Sequence, residues 1–261
     1  MEEPKTVVEW AVKVLNTADT DLKAAYTLRA LDLWHSGALP KDNVARPEHV
    51  ELLPPHLAPK RGKGGSLANR IAMVHSLVHI ESMAVDLSWD IMVRFQKMVD
   101  LPAEFYADWL KIAADEAKVH YGLLKKRLEE LGSHYGALPA HDSLWESAQK
   151  TSGSLLSRLC IEHMVHEARG LDQMPTTVAR FRSGGDPVTA DLLEVILEDE
   201  ITHVTAGMKW FTYLCQHSDP PLRNDCFAPQ DPIPTFHQVV RENFRGGLKP
   251  PFNTRPGRRP A

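Results

Sequence analysis

At 261 residues the chain can bury a sizeable core, as one large domain or two small ones, and its 43% hydrophobic and 25% charged residues are ordinary for a globular protein. A net charge of −4 argues against a general nucleic-acid binder. Three cysteines (Cys160, Cys215 and Cys226) without CxxC spacing exclude a disulfide framework, and no apolar run reaches the ~20 residues that span a bilayer.

The opening "MEEPKTVVEW" lacks the basic start and apolar core of a signal peptide, so a reducing, cytoplasmic setting is expected. Two short helical patterns follow, "KTVVEWAVKVLN" and "TDLKAAYTLRALDLWHSG", the second with Thr20 or Asp21 as N-cap and Gly37 as stop. The proline- and glycine-rich stretch 38–65 can sustain neither a helix nor a central strand and reads as an extended strap, with Lys60–Lys63 as a solvated turn. Four long helical patterns come next, at 66–99, 103–131, 151–173 and 187–217, and no segment alternates as a strand must. After Ser218 the chain is proline-rich, with one short helix at 235–244 and a basic, irregular tail. The expected architecture is all-α: a four-helix bundle over 66–218, a helical pair and strap over 1–65, and a C-terminal extension over 219–261.

Each long pattern carries an apolar stripe interrupted by a glutamate. The first runs Leu67, Ile71, Val74, Val78, Glu81, Val85, Met92, and the second runs Trp109, Ile112, Glu116, His120, Leu123. The third gives Leu156, Cys160, His163, Glu167, Leu171, Met174, and the fourth gives Leu193, Ile196, Leu197, Glu200, His203, Val204, Phe211, Leu214. One buried glutamate has a bland explanation at a bundle edge or beside an arginine. Four uncompensated carboxylates would each cost several kcal/mol, more than marginal stability tolerates. The stripes contain no lysine or arginine, so a metal is the expected counter-charge. Carboxylates with imidazoles suit iron, manganese or zinc. A lone glutamate from each of two helices, with a glutamate–histidine pair from each of the other two, is the di-iron or di-manganese carboxylate arrangement.

The second pair is irregular. "DEITH" places His203 three residues after Glu200, whereas "DEAKVHY" places His120 four residues after Glu116. A π-bulge near 113–120 absorbs the extra residue and aims His120 at Glu81, Glu167 and Glu200. A regular helix instead displaces the imidazole by about 100° from the usual position. Asp115 and Asp199, each preceding a ligand glutamate, are candidates to hydrogen-bond a metal histidine. His163 is a candidate relay or extra ligand, and His166 points off the stripe. His75, His79, Asp86 and Asp90 read as surface or helix–helix hydrogen-bonding groups. Tyr121 reads as a redox-active phenol or a buried tyrosine with a satisfied hydroxyl, and Cys160 as a small core residue.

The stretches "HIESMAVDLSWD", "ADEAKVHYGLL", "LGSHYGALPAHDSLWESA", "HEARGLD" and "LEDEITHVTAGMKWF" resemble a widespread family of unknown function in the ferritin-like superfamily. The resemblance covers most of the chain, including "ELLPP". It implies Glu81, Glu116, His120, Glu167, Glu200 and His203 as metal ligands, with the four glutamates carrying the chemistry. Its more distant relatives include ferritins, ribonucleotide reductase small subunits, di-iron monooxygenases and a tRNA-modifying hydroxylase. The expected function is a non-haem di-iron (or di-manganese) oxygenase or oxidase that uses O2 on a small organic molecule, with an external reductase as electron donor. The alternatives are a ferroxidase or iron-handling protein, and a non-enzymatic scaffold with an inherited site. The basic tail (Arg241, Arg245, Lys249, Arg255, Arg258, Arg259) keeps a nucleic-acid substrate as a minor reading.

Overall fold

The computed structural model describes residues 7–36, 63–96, 101–217 and 231–253, together with residues 4, 51, 53, 54 and 57. It is all-α, and the described residues contain no strand. Among them no helix is long and apolar enough to cross a membrane. The proposed stop at Gly37, the Lys60–Arg61–Gly62 part of the basic turn, Cys226 and the tail arginines Arg255, Arg258 and Arg259 lie outside the described residues.

Helices α1 (Val7–Leu15) and α2 (Thr20–His35) form a short hairpin. The cap of α2 is Asp19, not Thr20 or Asp21; its carboxylate accepts from the amides of Asp21 and Leu22. Helix α3 (Leu67–Arg94) starts on the Ser66 hydroxyl and runs antiparallel to α4 (Ala103–Asp115), a first π-helical segment (Glu116–Tyr121) and α5 (Gly122–Glu130). These last three are one continuous helix.

The connection that follows, between the second and third long helical patterns, holds a further short helix, α6 (Ser143–Lys150). Its loop is pinned to α3 by histidines. The His75 Nε2 accepts from the amide of Gly136 at 3.0 Å, and His79 Nδ1 meets the Tyr135 hydroxyl at 2.7 Å. The strap touches the same loop, where Leu53 and Ala140 are joined by a backbone hydrogen bond of 2.8 Å.

The third long helix comprises α7 (Leu155–Cys160), a second π-helical segment (Ile161–His166) and α8 (Glu167–Ser183). It continues ten residues past the expected end at 173, through Pro175. A proline removes one helical hydrogen bond, and here the packing of Met174, Val178 and Phe181 against α9 sustains the helix beyond it. Helix α9 (Pro187–Gln216) packs along α8, and α10 (Pro232–Asn243) covers α7 and α9.

One apolar core joins these parts. Trp10 and Val14 of α1, Trp89 of α3, Trp109 of α4, Trp210 of α9 and Val239 of α10 belong to a single cluster, so the N-terminal hairpin and α10 are built into the central core. Full burial of each such side chain contributes roughly 1.5–3 kcal/mol.

The first π-segment also corrects a stripe. An extra residue in a helical turn rotates everything after it, so Leu123, expected inside, is 37% exposed while Leu124 and Leu128 are fully buried. At the free start of α3, Leu67 is also exposed rather than on the buried stripe.

Candidate metal centre

The four long helices bring their acidic positions to one interior region. Glu116, His120, Glu200 and His203 are buried, and one possible ligand atom from each lies within 4.8 Å of all the others. The His120 Nδ1 faces the carboxylates: 2.9 Å to Glu116 Oε2, 3.4 Å to Glu200 Oε1 and 3.5 Å to Glu81 Oε2. The His203 Nδ1 is 3.0 Å from Glu116 Oε1 and 3.2 Å from Glu200 Oε2, without the angle that a hydrogen bond requires. Glu81 on α3 is buried beside them. Glu167, half-buried as a residue, places its carboxyl against that of Glu200.

The π-segment at Glu116–Tyr121 is what makes this possible. A π-turn spans more residues than an α-turn, so His120, four residues after Glu116, comes close to the angular position that the third residue holds in a regular helix. The opposite pair needs no such device, because Glu200 and His203 sit in a regular helix.

The chain belongs to the family described as "Protein of unknown function (DUF455)", which matches residues 16–261. An uncharacterised protein of Haemophilus influenzae (strain ATCC 51907 / DSM 11121 / KW20 / Rd) is 35% identical over 178 residues, covering 66% of this chain and 61% of its own length. The chain therefore spans less than two thirds of that relative. No solved structure matches the chain.

The electrostatics of the cluster reflect crowded, buried acids. Burial, with the negative charges of Glu116 and Glu200, pushes Glu81 up to about 8, against the opposing effect of His120. Burial and the Glu200 charge likewise hold Glu167 well above the usual carboxylate range. Burial works against ionised Glu116 as well, but His120 and His203 outweigh it and hold that carboxyl far below its ordinary value. The histidines respond in kind. Burial works to lower His120, and Glu116 and Glu81 overcome it and raise the imidazole to about 12. His203 is also raised, for the same reason, by Glu116 and Glu200.

The fit to a metal rests on the donors themselves. His120 Nε2, both ring nitrogens of His203 and Glu200 Oε2 are buried without a hydrogen-bond partner among the described residues. Such groups are costly unless something else satisfies them. Among the described residues the buried cations are committed elsewhere: Lys23 bonds Asp86 at 2.7 Å, and Arg158 pairs with Asp90. Asp86 and Asp90 of α3 thus pair between helices, whereas His75 and His79 bond the connecting loop, and all four are buried rather than on the surface.

The aspartates cross between the halves. Asp199, beside Glu200, reaches to 3.7 Å from Nε2 of His120, an ion-pair distance longer than a hydrogen bond. Burial raises the Asp115 carboxyl, and the largest opposing influence is the charge of His203. His163 lies on a different wall, its ring 4.3 Å from that of Trp109, and burial with the nearby Arg158 charge lowers it to about 3. It is therefore a neutral imidazole near the cluster. Tyr121 is buried and its hydroxyl donates to Thr20, which ties the first π-segment to α2. The thiol of Cys160 is fully buried.

Two important residues escape sequence reasoning. Glu162 is almost fully buried, receives the Ser147 hydroxyl at 2.7 Å, and is pushed by burial to about 7. It lies off the apolar stripe until the second π-segment turns it inward, and no spacing irregularity announces that segment. Gly207 is the other. A Cβ there would stand 2.2 Å from the His163 carbonyl oxygen, so only glycine lets α9 approach the second π-segment so closely. Its signal was available: it occupies the stripe position between His203 and Phe211.

Proposed function

We propose that this chain is a ferritin-like di-metal carboxylate oxidoreductase that uses O2 to oxidise a small organic molecule. The observation that carries the reading is the gathering of Glu81, Glu116, Glu167 and Glu200 with His120 and His203, where His120 Nε2 and both ring nitrogens of His203 are buried without a hydrogen-bond partner among the described residues. Two helical hairpins, α3 with α4–α5 and α7–α8 with α9, joined by the long connection through α6, are consistent with a ferritin-like bundle.

In this reading the four glutamates and two histidines hold a pair of iron or manganese ions, which supplies Lewis acidity and the capacity to reduce O2. The protein's own part is geometric and electrostatic. Nδ1 of His120, in the π-segment, faces the carboxylates, and Asp199 stands 3.7 Å from its other nitrogen, where a small shift would let it orient the ring. Trp109, Ile112, Leu156 and Ile196, buried on the same helix stripes as the glutamates, would help keep water from the site. Neutral His163 adds a polar surface without a charge that would repel cations. The sequence has no flavin, nicotinamide or iron–sulfur motif, so electrons come from a separate reductant.

The test is anaerobic reconstitution of metal-depleted protein with ferrous iron, followed by exposure to air. About two ions per chain and rapid O2 uptake are expected. One ion or none per chain, or no O2 uptake, overturns the reading. Iron deposited as mineral, with no oxidised organic product, moves the chain to the iron-handling class.

A further inference from the structure

Away from the metal centre, a cavity of about 560 Å3 opens between the start of α3 and the end of α8. That volume lies within the range of small-molecule sites. Its floor is backbone. Gly65, at φ +76°, passes Gly184 so closely that a Cβ on Gly184 would stand 3.3 Å from the Gly65 Cα and 3.0 Å from the Arg180 carbonyl oxygen. Two arginines are among the lining residues, Arg70 from α3 and Arg180 from α8, together with Ser183. No carboxylate is among the described residues that line it.

These arginines have charge to spare. The Nε of Arg70 is buried and makes no hydrogen bond, and its nearest acid, Asp186, is 3.9 Å from Nη1. Asp186 is already engaged, by Arg127 Nη2 at 2.9 Å, the Thr189 amide at 3.0 Å and the Thr189 hydroxyl at 2.7 Å. Arg180 makes no side-chain hydrogen bond or ion pair with the described residues. By contrast, its neighbour Arg182 is saturated by Asp191 and Glu194. A buried Nε without a hydrogen-bond partner on half-exposed Arg70, with exposed Arg180 beside the same cavity and no carboxylate in its described lining, calls for an anion. The planar fork of arginine matches a phosphate best.

The cavity also exceeds a bare phosphate. Met73 and Phe181 line its apolar side. We propose that it binds a phosphate-bearing small molecule, with the phosphate between Arg70 and Arg180 and the organic part against Met73 and Phe181. The site is separate from the metal cluster, and the proposal does not depend on the function proposed above.

Calorimetric titration of the full chain with inorganic phosphate and with phenyl phosphate tests it. Both are expected to bind saturably, with phenyl phosphate the tighter. Arg180→Gln weakens both by about tenfold or more, the loss expected for a charge-assisted contact. Arg70→Gln does the same, with its thermal unfolding measured to show that it folds, and Arg182→Gln leaves both affinities unchanged. Absence of saturable binding overturns the proposal. So does an equal loss in Arg180→Gln and Arg182→Gln, which would reduce the effect to bulk charge. Equal affinity for the two probes overturns the organic half of the assignment.

Discussion

The two helical hairpins solve the same packing problem in opposite ways. In the first, the π-segment lies on the helix that carries a glutamate and a histidine, and α3 with its lone Glu81 is regular. In the second, the π-segment lies just before the lone Glu167, and α9 with Glu200 and His203 is regular. The first segment corrects a spacing, bringing His120 under Glu116. The second turns Glu162 and His163 inward together and fits against Gly207. A π-turn is thus a local tool whose purpose depends on what packs against it.

The largest test removes the acid that links the halves. Glu116 lies beside both His120 and His203, so Glu116→Ala leaves two buried imidazoles without their main counter-charge. A destabilisation of about 3–5 kcal/mol is expected from breaking a buried pair, read by urea unfolding of the metal-free protein. A loss below 1 kcal/mol, by the same rule for buried pairs, would mean that Glu116 is not the hub.

Next comes the contact peculiar to the second hairpin. Gly207→Ala forces α9 away from the His163 carbonyl, and a cost of roughly 1–3 kcal/mol or more is expected from overpacking. Metal content after reconstitution should fall with it, because Glu200 and His203 move on the same helix. An Ala variant as stable as the parent would show that the two helices have room to spare.

Acidity sharpens the comparison further. In the metal-free protein Glu81 holds its proton up to about 8 and His120 up to about 12. Those protons must leave when a cation binds, so metal affinity rises with pH. Between about pH 6 and pH 8 a gain of about tenfold or more per unit is expected, measured by competition with a chelator whose own protonation is known. An affinity that does not change with pH would show that neither group is displaced.

The smallest effect falls on the first hairpin. Gly122 follows its π-segment, and a Cβ there meets only the Ala117 carbonyl oxygen at 3.5 Å, an ordinary contact. Gly122→Ala should stabilise by about 0.5–1 kcal/mol, since alanine loses less freedom in a helix. A loss like that of Gly207→Ala would erase the distinction between the hairpins.

Much of this was legible in the chain itself. Stripes with a period of three to four residues mark the long helices, and an acid at the middle of each stripe marks an interior charge. The four-residue step from Glu116 to His120 contains the first π-segment, because two groups bound for one centre must share a face. Other features exist only in three dimensions. The run of α8 through Pro175 depends on α9 beside it, and the inward turn of Glu162 follows from a π-segment with no local signature. The same holds for the burial of Arg158 on Asp90 and for the pinning of the connecting loop by His75 and His79. Periodicity records which side of a helix is apolar, so the sequence determined the helices and their acidic positions. Which neighbour meets that side, and how closely, is a property of the assembled core, and there the tertiary structure decided.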